Sequence, residues 1–456
     1  MFKYLEEMLT SFRPAFRRNA TFIWFVVVFI GFLVRTDNYG VSSIVRALWL
    51  IPTCYPSLLH FFHSSAYTTN TLMQYWWQWL KKANVFFLVD EKMVLIGDHT
   101  KNVKDGRKIP AVTTLHQDSE TGSKPSFFRG HQWGCITVLI KSAEKIFSTP
   151  LWAEIHNTLE QSMAVRIVAM AIEISNYFRR KSILVLDAFF AIGPVFLAAK
   201  QNILILTKAK KNITAYEKPE KKIIKKRGRP AMYGKKLILM ELFDSSRYTF
   251  KTMKTLIYDK TETIRYLTVD LLWKPIKGTL RFFLIESSHG SMILMTNDFA
   301  LTVEKAIQLY CPRFTIEIFF DALKNLFGGL KYHFWSKYLS ASSRRPLKNK
   351  KESPVSMNQE KTKNTLATIE KFVLIQIIAV GTLQLLSIKF PKEIFEKSDC
   401  WMRTFSGFIP SLFITRIALM NIIFSNLISF VKNPIMQLII AKQKRHRYNG
   451  GIGNVA

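Results

Sequence analysis

The sequence predicts a mixed α/β core, interrupted by a β-rich insertion and flanked by helical amino- and carboxy-terminal parts. Three observations carry this. Short β-branched or aromatic runs begin at residue 85, strand-like and helix-like stretches then alternate to about residue 206, and a second group of strand-like runs lies between Lys208 and Asp298.

Residues 1–82 show helical apolar spacing through Val45, Leu48 and Trp49, with Asn38, Ser42 and Ser43 as candidate caps and Trp76, Trp77 and Trp79 closing the segment. A helical amino-terminal domain is expected, and the pattern suits a DNA-binding unit and a plain packing module equally. Residues 83–207 form the first part of the core. Strands are expected at Val85–Val89, Met93–Ile96, Ile109–Leu115 and Cys135–Ile140, a helix from about Leu151 to Arg179, a buried strand at Ser182–Leu186, a helix opening at Gly193-Pro194, and a strand at Asn202–Leu206. Residues 208–300 read as the insertion, with strands at Tyr266–Trp273, Thr279–Ile285 and Ser291–Met295. A helix is expected within 301–335. Residues 336–364, with Arg344, Arg345, Lys348, Lys350 and Lys351 among Ser and Pro, read as an exposed basic loop. Helices resume over 365–456, ending in a basic tail.

The chain carries 65 Lys and Arg against 32 Asp and Glu, and the surplus is spread along its length. Such a balance points to a polyanion, since a basic surface gains affinity by releasing condensed counterions. DNA, RNA and an anionic membrane surface all fit that charge. Cys54, Cys135, Cys311 and Cys400 lie far apart, with no CxxC pair, which argues against a zinc site or a disulfide framework. No secretory signal pattern is visible, and a reducing cytoplasm is expected. Three apolar runs raise the alternative of a membrane protein. Thr21–Val34 is shorter than the roughly 18–20 residues a span requires. Val373–Ile388 carries Gln376 and Gln384, and Phe408–Val431 carries Arg416, Asn421 and Asn426, all costly in lipid. Buried core helices and no membrane are expected.

The chemistry concentrates in YCPRFTIEIFFDALK, which holds Tyr310, Arg313, Glu317 and Lys324. Pro312 suits a first helical turn and nothing after it breaks a helix before Gly328. At roughly 100° per residue the four polar side chains fall within about 60° of one another, apart from a stripe made by Ile316, Phe319, Phe320, Leu323, Leu326 and Phe327. An ordinary surface ion pair between Arg313 and Glu317, worth about 0.3–0.5 kcal/mol, explains part of the pattern.

The spacing Tyr-x2-Arg-x3-Glu-x6-Lys resembles the signature of insertion-sequence transposases of the Tyr-Arg-Glu-Lys group, within the DDE superfamily. The resemblance implies a ribonuclease-H-like catalytic core, in which two aspartates at strand ends precede the glutamate. Asp187, in VLDAFFAIGPVF, resembles the second-aspartate block, and Asp98, in GDHTK, the first; a turn or cap role is the ordinary use of either. Asp90 and Asp321 are the fallback assignments. The resemblance implies that Asp98, Asp187 and Glu317 bind two magnesium ions, with manganese as a substitute, and that Tyr310, Arg313 and Lys324 bind DNA phosphate. It also implies a β-strand insertion between Asp187 and Glu317, where the strand-like runs stand. The expected activity is cleavage and strand transfer of double-stranded DNA at terminal inverted repeats and target sites. The protein is then expected to act as a homodimer on paired ends and to be nucleoid-associated. A nuclease that cuts without joining and an inactive DNA-binding repressor copy remain the rival readings.

Weaker signals remain. Arg227 and Arg229, in KKRGRP, resemble a minor-groove AT-hook and equally suit a solvated loop. Trp273 suits stacking on an unpaired base or, more commonly, a core position. Gly130-His131-Gln132-Trp133 opens a strand, where His131 suits a structural role or a place near the metals.

Overall fold

The computed structural model describes residues 1–38, 40–117, 126–142, 145–157, 162–200, 202–219, 231–257, 260–343, 354–398, 408–428 and 433–443. In chain order the elements are α1 (Phe2–Ser11), α2 (Asn19–Val34), α3 (Ser42–Ala47), α4 (Cys54–His63), α5 (Thr69–Ala83), β1 (Leu88–Val89), β2 (Lys92–Val103), β3 (Thr113–His116), β4 (Phe127–Ser142), β5 (Lys145–Ile155), α6 (Met163–Phe178), β6 (Ser182–Leu186), α7 (Gly193–Ala198) and β7 (Ile203–Lys208). There follow β8 (Thr214–Tyr216), β9 (Lys236–Ile238), β10 (Lys251–Ile257), β11 (Lys260–Trp273), β12 (Gly278–Ser287), β13 (Gly290–Thr296), α8 (Val303–Tyr310), α9 (Thr315–Asp321), α10 (Gln359–Lys389), α11 (Pro391–Lys397), α12 (Leu412–Ile428) and α13 (Pro434–Ile440). The chain is α/β, with a mixed, largely antiparallel sheet and flanking helices. It divides into two compact units: residues 1–83, 103–130 and 320–456, and residues 84–102 and 131–319.

The first unit is built around α10, which packs against α2, α4, α5 and α12. Among the described residues α10 is the one helix long and apolar enough to cross a membrane, and 89% of its apolar stretch is buried inside the protein. Its polar residues have protein partners. Arg35, just beyond α2, donates to Gln376 Oε1 at 2.8 Å and to Ser43 Oγ at 3.2 Å, and its guanidinium lies 4.7 Å from the Phe32 ring. Arg416 of α12 donates to the carbonyls of Leu33 (2.9 Å), Arg35 and Leu326. The carboxy-terminal carbonyls of a helix have no partner within it, and a buried guanidinium with several donors satisfies them. Arg416 therefore caps α2, which is why a cation stands in an apolar helix. Burial, together with the Arg416 charge, pulls Arg35 down to about 9.

The second unit carries the sheet order β4-β2-β6-β7-β13-β12-β11-β8-β9, with β5 paired to β4 and β10 to β11. β2, β6 and β7 are parallel, and β6, SILVL, is buried throughout, as befits a central parallel strand covered on both faces. The strands between β7 and α8 are antiparallel, and β13 pairs with β7 itself through Thr296↔Leu206. The insertion expected at 208–300 thus extends the core sheet. Cross-strand ion pairs hold its register: Arg265 with Glu286 at 2.6 Å and Arg281 with Asp270 at 2.8 Å.

Two expectations need correction. The helix expected from Leu151 begins at Met163, because Lys145–Ile155 is a strand paired with β4. Pro150 disguises it: proline cannot donate to a ladder, and it stands opposite Thr137 where the register shifts. The strand expected over Ile109–Leu115 is confined to Thr113–His116.

Candidate active site

Asp187 immediately follows β6, where its Oδ1 accepts from the Phe189 amide at 3.1 Å and its carbonyl accepts from Thr207 Oγ1 at 2.6 Å. Asp98 does not end a strand, as expected, but lies inside β2. The reason is that β2 outruns its neighbour: paired register with β6 ends at Ile96↔Val185, and two residues further the same register sets Asp98 level with Asp187. The Asp98 carboxylate accepts from the His99 amide at 2.7 Å and from Arg313 Nη1 at 3.3 Å. Arg313 Nη2 donates in turn to Glu317 Oε1 at 2.9 Å.

These groups act on one another's charge. Burial, then the Asp187 charge, pushes Asp98 up to about 7, with Glu317 adding to the rise and the His99 amide and Arg313 opposing it. Asp187 is also raised, by burial first and also by Glu317, against Arg313 and the amides of Phe189 and Phe190. Burial opposes the charged form of Arg313, but Tyr310, Asp98 and Glu317 outweigh it, so its pKa is raised. Three carboxylates and one guanidinium are thus gathered from β2, the end of β6 and the α8–α9 segment.

That segment is not one α-helix opening at Pro312. α8 ends at Tyr310, Cys311–Phe314 is a 3-10 turn, and Ala322–Leu326 is a π turn after α9. A single helical wheel therefore overstates the shared face. Arg313 and Glu317 stay paired and Tyr310 stays near Arg313, whereas Lys324 lies past the unit boundary, in the other compact unit. The apolar stripe holds for Ile316, Phe319, Phe320, Leu323 and Phe327, which are buried. The fallback acids are engaged elsewhere: Asp90 with Lys305 Nζ at 2.6 Å and Asp321 with Asn325 at 2.6 Å.

The donor chemistry suits a hard divalent cation, since all three acids offer oxygen. Arg313 engages Asp98 and Glu317, and among the described residues no three His, Cys, Asp or Glu side chains close on a common point. Comparisons with known proteins add little. No protein-family profile matches the chain, and no curated protein matches it. The NurA nuclease from Sulfolobus solfataricus is similar over 63% of this chain and 100% of its own, at 9% identity and a TM-score of 0.21. At that score the likeness bears on neither fold nor activity.

A supporting network escaped the sequence reading. His99 Nε2 lies 3.1 Å from His156 Nδ1, His156 Nε2 lies 3.1 Å from Glu154 Oε1, and Arg166 binds Glu154 through Nε and, at 2.8 Å, Nη2. His99 also stacks on Phe190, centroids 5.2 Å apart, beside the Asp187 turn. Burial, then His156, pulls His99 down to about 3, so the ring is neutral. Burial alone would raise Glu154, yet hydrogen bonds from His156 and Arg166 hold it below the usual carboxylate range. Gly134 on β4 makes room, because a Cβ there would come within 2.0 Å of the His156 ring. The one sequence signal was a histidine directly after Asp98.

Other sequence candidates fall as follows. His131 is fully buried in β4. Trp273 is 5% exposed and meets Phe196 edge-on at 5.5 Å, a core position, while also lining a pocket of about 320 Å³ with Lys210 and Lys274. Arg227 and Arg229 lie outside the described residues, as do Arg344 to Lys351. Cys54, Cys135 and Cys311 form no disulfide among the described residues.

The raised Asp98 makes a stability prediction. Its folded pKa of about 7 exceeds the ordinary value of 3.8, so the native state binds the proton more tightly than the unfolded chain. The resulting stability is complete below about pH 4 and is lost as pH rises through about 7. Asp98→Asn keeps the neutral form at every pH. In chelator at pH 8 it is expected to melt a few degrees above the parent, the gap closing towards pH 4. A melting difference that does not change with pH would contradict the assignment.

Proposed function

We propose that this chain is a DNA transposase that cleaves and transfers strands at Asp98, Asp187 and Glu317. The observation that carries the reading is that Asp98, two residues beyond the paired register of β2, and Asp187, directly after the neighbouring parallel strand β6, lie in one electrostatic group with Glu317, which Arg313 ties to Asp98. Carboxylates from two strands and one helix are what the Tyr-Arg-Glu-Lys resemblance requires of a ribonuclease-H-like core. Magnesium, or manganese, when bound would activate a water or a DNA 3′-hydroxyl and stabilise the departing oxygen. Asp98, Asp187 and Glu317 would hold it. Arg313, beside two carboxylates, is suited to turn from them to a DNA phosphate and grip it bidentately, with the Tyr310 hydroxyl as a further donor. Lys324 would supply a point charge to the same strand. The excess of Lys and Arg supports double-stranded DNA as partner, and a dimer on paired inverted repeats follows from the resemblance alone.

The test uses the DNA segments flanking the reading frame as labelled duplexes, incubated with the protein and magnesium together with a supercoiled target. Joined product is expected, alongside nicks at the segment ends. Nicking with no joined product favours a nuclease; binding with neither favours a repressor.

A further inference from the structure

We infer that the pocket walled by residues 103–109 and 333–341 is a binding site for an unpaired DNA strand, with Trp335 as its stacking platform and Arg107 and Lys108 as its phosphate contacts. The pocket lies wholly within the first unit and encloses about 540 Å³, room for a nucleotide. Val103, Arg107, Lys108, Ile109, His333 and Trp335 are among the residues that line it.

Trp335 is 66% exposed, approached among the described tryptophans only by Trp49 at 52%, while Trp76, Trp77, Trp79, Trp133, Trp152 and Trp273 are buried. A lone exposed aromatic needs no explanation, but one set in a concave wall beside two cations does. Bases present a π face whatever their identity, and a strand that stacks on an aromatic carries phosphates a short reach away. Arg107 and Lys108 line the same pocket as Trp335, and among the described residues that line it the one acid is Asp105. A duplex keeps its interior bases stacked on one another and offers a face only at its two ends, so the unpaired strand is the better occupant.

The walls are built, not incidental. Ser336 N donates to the Lys108 carbonyl at 2.9 Å, Ser342 N to the Arg107 carbonyl at 3.0 Å, and Arg107 Nε to the Ser342 carbonyl at 2.9 Å. Lys104 pins the base of the second wall, donating to the carbonyls of Leu330 at 2.7 Å and Tyr332 at 2.9 Å with its ammonium 3.7 Å from the Tyr332 ring centroid. Its charge is therefore spent on the backbone. The ligand contacts fall to Arg107 and Lys108. None of this depends on which residues are catalytic.

The experiment measures binding of a labelled thymidine 20-mer, and of the same strand in duplex, to the full chain in chelator, so that cleavage plays no part. Trp335→Ala is expected to weaken single-strand binding roughly tenfold or more, and Trp335→Phe to stay within about threefold of the parent. Arg107→Ala with Lys108→Ala is expected to flatten the single-strand salt slope by about 1.4, two phosphates at about 0.7 each. Duplex binding by Trp335→Ala should change less than threefold. Unchanged single-strand affinity in Trp335→Ala, or an equal loss for both DNAs, overturns the proposal. So does a Trp335→Ala chain that changes oligomeric state without losing single-strand affinity, which would make the face a protein contact.

Discussion

Replacing Asp98, Asp187 or Glu317 singly with alanine is expected to lower magnesium-dependent nicking of duplex ends by at least about 10³-fold, with binding of the same duplex held within about threefold. The size follows from the chemistry. A site that activates the attacking oxygen and stabilises the leaving one contributes several kcal/mol to the transition state, and each 1.36 kcal/mol is tenfold in rate. The preserved binding follows from the charge. DNA affinity, on the proposed reading, would rest on Lys and Arg spread along the chain, and removing one acid adds to the positive surplus. Asp187 gives the sharpest test of the three. Its carbonyl is held by Thr207 and its turn by the Phe189 amide, so Asp187→Asn keeps the turn's hydrogen-bond acceptor while losing the charge. A nicking rate near the parent's in any alanine variant removes that residue from the site, and Asp90 and Asp321, already bound to Lys305 and Asn325, would then need to be tried.

How much was legible in the sequence depended on whether a signal was local. Ser182–Leu186 with Asp187 behind it was read correctly, since four consecutive apolar residues after a serine, bounded by an acid and a Gly-Pro helix start, is a local pattern. Leu151–Ile155 was read as the start of a helix because its apolar residues suit either element; only the partner β4 decides between them. The position of Asp98 inside a strand was equally hidden, since nothing near residue 98 says that β2 outlasts β6. The return of the 208–300 strands onto β7 is a pairing across a long stretch of chain, and pairing partners are not written in either strand alone. The His99–His156–Glu154–Arg166 network combines both difficulties, as its members come from three elements and Gly134 admits it by lacking a side chain. By contrast the polar residues in the apolar helices, Gln376 and Arg416, were informative from the start: each proved to answer a buried partner.

Arg313 is where the sequence pattern and the geometry make different demands. The resemblance gives it to a DNA phosphate, whereas its guanidinium rests on Asp98 at 3.3 Å and Glu317 at 2.9 Å. Both hold if the arginine neutralises the acids until cations and a phosphate exchange for it. Two unit charges about 4 Å apart interact by about 4 kcal/mol at the effective dielectric of a protein surface, so a cation there competes strongly with any metal. Arg313→Ala is therefore expected to tighten manganese binding, measured by calorimetry on the DNA-free protein, by about tenfold. Its nicking rate is expected to fall by about 10²-fold, the usual cost of one positioned donor to a developing negative charge. Strand joining from a pre-nicked end should fall further still. Opposite signs on metal affinity and rate are the distinguishing result, because damage to the fold lowers both. Metal affinity lost as completely as in Glu317→Ala would show that Arg313 serves to hold the acids in place and that its turn to the phosphate does not occur.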